Sequence, residues 1–190
     1  LMDQAATVDV KDDNAWNSLT KTADEIVKNY PDSVQAIQTQ LMLAKLAFER
    51  NDYATAEKAL MKVENAKVDD QGLIHVVKLR LAYSQLAQDK FDAALKSLSA
   101  VTDPAFKATA DEARGDVYVA KNDIENAKKA YMSAWDGLLE RQQERQILQI
   151  KLESVGVLVD DLEVERPIIE VQMDEPKADH PVAITQMDKS

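Results

Sequence analysis

The chain has 190 residues, no Cys, only four Gly and a formal charge of −11, which is length for one domain or for a short helical stack with a tail. That charge argues against a nucleic-acid partner, because phosphate binding needs clustered Lys and Arg, and equally against adhesion to an anionic membrane surface. The absence of Cys removes disulfides and thiolate metal sites, and no apolar run approaches the roughly 18 residues of a transmembrane helix.

The chain opens on Leu1 rather than Met, and we expect its natural N-terminus, with any targeting or anchoring segment, to lie upstream. Trp16, Leu19, Ala23, Ile26 and Val27 share one face of a helix ending at Asn29. Residues 14–30 thus read as half of a helical repeat. Tyr30-Pro31-Asp32-Ser33 stops it, and Asp32 or Ser33 is set to cap the next helix. Repeats are expected at about 34–66, 72–101 and 105–135, the break Thr102-Asp103-Pro104 preceding the third. A closing helix is expected over 136–156, with Ile147, Ile150, Leu152 and Val155 sealing the open end of the stack. From residue 157 the composition changes: three of the five Pro lie there, with nine acidic residues against three basic. Residues 157–190 therefore read as an acidic, disordered tail, whose stretch Ile168 to Met173 alternates in the manner of a strand or a docking segment.

Three sets of residues carry the repeat. Ala44, Ala47, Tyr53, Ala56, Leu60 and Val63 recur as Ala82, Gln85, Phe91, Ala94, Leu98 and Val101, then as Gly115, Tyr118, Ile124, Ala127, Tyr131 and Ala134. The sets start 38 and 33 residues apart, bracketing the roughly 34 of a tetratricopeptide repeat. A small residue on each first helix (Ala44, Ala82, Gly115) is expected to meet one on the second (Ala56, Ala94, Ala127). Polar triplets Arg50-Asn51-Asp52, Gln88-Asp89-Lys90 and Lys121-Asn122-Asp123 suit the tight connections between them. The residue after each triplet (Tyr53, Phe91, Ile124) is expected to plug the pair. The fold class is all-α: a right-handed tetratricopeptide-repeat solenoid of antiparallel helix pairs, a C-terminal capping helix and an acidic tail.

A narrower resemblance rests on particular stretches. Leu79-Arg80-Leu81-Ala82, then Phe91-Asp92-Ala93-Ala94-Leu95 and Leu98, resemble the central repeat of YfgM-type proteins. So do Ala113-Arg114-Gly115-Asp116, Lys121-Asn122-Asp123 and Ala127, while Leu148-Gln149-Ile150-Lys151-Leu152 is similar to that family's closing helix. The resemblance covers about residues 1–156. It implies an ancillary subunit of the bacterial Sec translocon, with an inner-membrane anchor followed by a periplasmic repeat domain. The implied partners are the translocon, a membrane-anchored periplasmic prolyl-isomerase-like chaperone and unfolded exported chains. Two features depart from it: the anchor is absent from this sequence, and the acidic tail runs past where the family usually ends. Other roles open to the same architecture are a periplasmic scaffold for envelope assembly and an accessory subunit of an enzyme complex.

No catalytic set can be assembled. His75 reads as an ordinary, partly exposed helical residue, and His180 stands beside Pro181 with no ligand partner at fixed spacing. Asp160, Asp161, Glu163 and Glu165 lack the spacing and central Gly of a calcium loop. No cofactor and no enzyme activity are expected. The tetratricopeptide resemblance implies instead a concave groove lined by the first helices. Carried over residue by residue, its positions are Gln38, Leu41, Lys45, Phe48 and Glu49, then Val76, Leu79, Tyr83, Leu86 and Ala87, then Thr109, Glu112, Asp116, Val119 and Ala120. Repeat proteins that clamp a terminal carboxylate carry Lys and Asn where Leu41 and Lys45, Leu79 and Tyr83, and Glu112 and Asp116 stand here, so a carboxylate clamp is not expected. The groove reads as apolar in its middle and acidic toward its C-terminal side.

Overall fold

The computed structural model describes residues 12–141, 143 and 145–159. They form α1 (Asp13–Asn29), α2 (Val34–Glu49), α3 (Tyr53–Met61), α4 (Gln71–Leu86), α5 (Phe91–Ser99), α6 (Lys107–Ala120), α7 (Ile124–Leu139) and α8 (Gln146–Ser154), with a 3-10 turn Pro104–Phe106 ahead of α6. Side-chain caps start several of them. Asp12, Ser33, Asp52 and Asp123 each accept from a backbone N–H in the first turn of the helix that follows, satisfying donors a helix start leaves orphaned. Of the two residues expected to cap α2, Ser33 does so at 3.1 Å, while Asp32 accepts from the Lys67 N–H at 2.8 Å.

The turns inside the repeats share one construction. Asn51, Asp89 and Asn122 adopt left-handed backbone, with φ of 59°, 57° and 59°. In each case the next N–H bonds back across the helix end: Asp52 to Ala47 O at 2.8 Å, Lys90 to Gln85 O at 2.9 Å, Asp123 to Tyr118 O at 2.8 Å. This is the Schellman closure, and Asn and Asp tolerate the left-handed position better than other residues with a Cβ. α8 ends in the same way. Gly156 takes φ 82° and the Val157 N–H reaches Leu152 O at 2.9 Å. Gly156 follows Asn122 by 34 residues, so α8 is in register as the first helix of a fourth unit.

Consecutive helices pack on each other, and the first helices α2, α4 and α6 also lie side by side. Ala44 and Ala56 are buried in one apolar cluster, and Ala82 and Ala94 in the next. The third pair is built differently. A Cβ placed on Gly115 would lie 2.1 Å from the Tyr131 ring, so the residue needs to be glycine because Tyr131 covers it. Leu60 and Leu98 hold the equivalent place in the first two repeats, where the first helix carries alanine. Gly with Tyr thus replaces Ala with Leu at similar total volume. Ile124 is not a plug: it is 38 % exposed, whereas Tyr53 and Phe91 are half-buried.

The C-terminal end corrects the sequence reading. α7 runs on to Leu139, and the closing helix is the nine residues Gln146–Ser154, not 136–156. Nothing in the intervening composition breaks a helix. The break comes from packing: the Arg141 and Gln143 N–H groups both bond Leu138 O at 3.0 Å, and the Arg141 guanidinium holds the Pro104 and Ala105 carbonyls. The turn frees α8 to lie back on α6 and α7, where Leu148 and Leu152 are completely buried, worth roughly 1.5–3 kcal/mol apiece. Leu152 and Val155 seal the end as expected, joined by Leu148, but Ile147 and Ile150 are 59 % and 64 % exposed. His75 is buried too, at 8 % exposure, its ring 5.6 Å from that of Phe106. The acidic run 160–165, His180 and the stretch Ile168 to Met173 lie outside the described residues.

Candidate protein-binding groove

The expected groove positions fall into three grades of accessibility. Lys45 is exposed, and Leu41, Phe48, Val76, Tyr83, Leu86 and Asp116 are half-buried. Val119 is 39 % exposed. Leu79 and Glu112, by contrast, are closed off at 7 % and 3 %. Leu79 packs into the cluster shared by α4 to α6, against which Tyr83 and Leu86 rest. Leu41 and Phe48 rest on the preceding cluster, and the Phe48 ring meets Tyr53 edge-on at 5.1 Å. The half-buried apolar side chains among the expected groove positions are therefore Leu41, Phe48, Val76, Tyr83 and Leu86.

At the C-terminal side, the two expected acids are present but not free. The Lys151 ammonium on α8 bonds Glu112 Oε1 at 2.8 Å and Asp116 Oδ1 at 2.7 Å, and Arg145 pairs with Glu112 Oε2 at 2.7 Å. The Tyr131 hydroxyl donates to Asp116 Oδ1 at 2.8 Å, and Lys151 stands 5.9 Å over that ring. Burial works against the charged Lys151, but Asp116 and Glu112 outweigh it and raise its pKa above the ordinary lysine value. Burial and the Asp116 carboxylate push the Tyr131 and Tyr83 phenols up as well, so both stay neutral. Two acids and two bases cancel here. The acidic end that the sequence suggests is an internal clasp holding α8 onto α6, and sequence reasoning missed it because the partners lie 33 or more residues apart. The 34-residue period was the available signal: it carries Tyr118 onto Leu152 and puts α8 in register with the first helices.

A second clasp lies nearby, between α5, α6 and α7. Asp111 is 6 % exposed and accepts from Lys107 and Ser133, each at 2.7 Å, and from Arg114, whose other nitrogen bonds Leu98 O at 2.9 Å. Burial favours the protonated acid, yet these donors together hold its pKa below the ordinary value. Its partners are all internal, so its role is to join helices. Among the described residues no group of His, Asp and Glu is arranged to hold a metal ion.

Antiparallel helix pairs in a 33–38-residue register, each first helix closed by the same left-handed turn, define a helical-repeat interaction protein. The chain belongs to the tetratricopeptide repeat-like domain family, whose match spans residues 2–157. It is similar to the ancillary SecYEG translocon subunit of Aggregatibacter actinomycetemcomitans, 35 % identical over 133 residues, 69 % of this chain and 63 % of that protein. It is similar also to the ancillary SecYEG translocon subunit of Neisseria gonorrhoeae (strain ATCC 700825 / FA 1090), 33 % identical over 132 residues, 69 % of this chain and 62 % of that one. The matched stretch thus spans less than two thirds of the length of these relatives. No solved structure matches the chain. No helix among the described residues is long and apolar enough to cross a membrane.

Proposed function

We propose that the chain is the protein-interaction domain of a YfgM-type ancillary translocon subunit, non-enzymatic and working at the periplasmic side of a bacterial inner membrane. In this reading it stands beside the translocon and a prolyl-isomerase-like chaperone, and it holds apolar stretches of newly exported chains in its groove. The observation that carries the reading is the similarity to two proteins named as ancillary SecYEG translocon subunits. The groove supports it physically. Its middle is apolar and half-exposed, and its charged end is internally neutralised, so it suits an uncharged extended segment better than a carboxylate or a polyanion. The test is photo-crosslinking from Phe48, Tyr83 and Leu86, each replaced by a photoreactive residue, in membranes carrying an arrested export intermediate. Crosslinks to the translocon or to the emerging chain are expected. Crosslinks confined to neither would overturn the reading.

A further inference from the structure

The side chains on either side of the turn between α7 and α8 stay in one helical register. Tyr131, Ala134, Leu138, Arg141, Arg145, Leu148, Leu152 and Val155 are spaced alternately by three and four residues, the seam of a coiled coil. All but the two arginines are buried, and they share one apolar cluster. The set is symmetric about Gln143: Leu138 and Leu148, Ala134 and Leu152, and Tyr131 and Val155 stand equally far from it. That is the pairing of a helix folded back on itself, and equally of two such helices running antiparallel.

The local chemistry favours an unbroken helix. From Leu139 to Gln146 there is neither Gly nor Pro. α7 ends on Glu140 with φ −56° and ψ −26°, still right-handed helical backbone, whereas α2, α4 and α6 are closed by left-handed Asn51, Asp89 and Asn122. α8 starts after Arg145, which makes no side-chain cap bond and puts a cation at the positive end of a helix. Within one chain, the turn is the way to bury Leu148 and Leu152. Two copies offer another.

We propose that α8 is exchanged between two copies of the chain: α7 and α8 join into one helix, and each copy's α8 docks on α6 and α7 of the other. Every contact that holds α8 re-forms in the exchange. Leu148, Leu152 and Val155 enter the other copy's apolar cluster, Lys151 meets its Glu112 and Asp116, and Arg145 its Glu112. Trading identical contacts is a low-cost route to a dimer. The balance then rests on concentration and on the connection. Helix hydrogen bonds replace the turn, in which the Arg141 and Gln143 N–H groups share Leu138 O and the Arg141 guanidinium holds the Pro104 and Ala105 carbonyls. Where the two helices cross, Arg141 of one copy faces Arg145 of the other, a repulsion that salt screens, so ionic strength should favour the dimer. Each stack is closed by the other's last helix.

Full-length chain refolded from urea at high concentration should sediment partly as a dimer, absent after dilute refolding and slow to dissociate once formed. Gln143→Pro, which an unbroken helix tolerates poorly, should lower the association constant of the dimer more than a hundredfold. Gln143→Gly should lower it about tenfold and decides the matter if the proline variant misfolds. The chain has no Cys, so Glu153→Cys gives a unique site for a nitroxide label. Spin-labelled copies refolded together with isotope-labelled copies that lack the Cys should broaden the Ala127 and Ala134 methyl signals of the latter, and leave Ala36 sharp. A chain that stays monomeric at every concentration overturns the proposal. So does a dimer indifferent to both Gln143 variants, or one that shows no such broadening between copies. No readout involves a client, so this proposal and the proposed function fail separately.

Discussion

Gly115 and Tyr131 act as one unit. Ala substituted at Gly115 would place its Cβ inside the Tyr131 ring, and Tyr131 is held both by packing and by its bond to Asp116. We expect Gly115→Ala to destabilise the domain by about 1–3 kcal/mol through overpacking. Adding Tyr131→Leu should recover part of that loss, because Ala with Leu is the pair the first two repeats use; urea titrations of the two single variants and the double variant give the coupling directly. Asp111 gives a pH-dependent case. Its pKa is lowered in the fold, so its contribution is complete above the unfolded value near 4 and drains away as pH falls through the lower native value. Asp111→Asn should cost about 1–3 kcal/mol at neutral pH, and the gap to the parent should narrow on acidification in denaturation series run from pH 7 to pH 2. At this scale the sequence was legible for the small-residue positions and the turn residues, because sterics at a close approach or a left-handed φ leave few choices. It was not legible for Gly115, whose constraint is a ring sixteen residues away, nor for His75, whose burial depends on Phe106.

Among elements, α8 shows where local sequence stops deciding. Glu140 to Arg145 are good helix formers, and propensity alone would run α7 into α8 without a break; the turn exists because Leu148 and Leu152 bury themselves only when α8 folds back. The clasp to α6 then fixes its angle. Removing Lys151 leaves Asp116 and Glu112 partly or wholly buried with one cation fewer, and we expect Lys151→Ala to cost about 2–4 kcal/mol. Hydrogen exchange should show the loss concentrated in α8 and α6, with α2 and α3 unaffected. In the helix pairs the expectation is plainer. Ala94 and Ala127 are fully buried, so Ala94→Leu or Ala127→Leu should lower stability by about 1–3 kcal/mol, and a wild-type denaturation midpoint for both would contradict the repeat register. The ion pairs that link successive elements on the outside, Arg50 with Asp13, Lys90 with Glu57 and Lys121 with Asp92, lie 2.5 to 2.9 Å apart with at least one partner well exposed. Such pairs add little each. The stack is held by its apolar clusters.

For the whole molecule, the proposed groove would set an upper limit on how tightly a client is held. With Leu79 in the core, the half-exposed apolar positions that remain are Leu41, Phe48, Val76, Tyr83 and Leu86, with Val119 at the edge. If burying part of each contributes on the order of 1 kcal/mol, the gross gain is about 6 kcal/mol. Association costs an estimated 4–15 kcal/mol before any affinity is measured. At most about 2 kcal/mol is left, short of the roughly 4 kcal/mol of a millimolar dissociation constant, so these side chains alone give a weak grip that exchanges readily. Because Glu112 and Asp116 are already paired with Lys151 and Arg145, long-range attraction adds little, and added salt should change the binding only slightly. We therefore expect modest suppression of aggregation for an unfolded model protein, nearly independent of ionic strength. Phe48→Ser, Tyr83→Ser and Leu86→Ser combined should abolish it while helical circular dichroism persists; Leu79 is left intact because its replacement would test the core instead. A folded triple variant that protects as well as its parent would place the client elsewhere, and strong salt dependence in the parent would point to a charged surface instead of this groove.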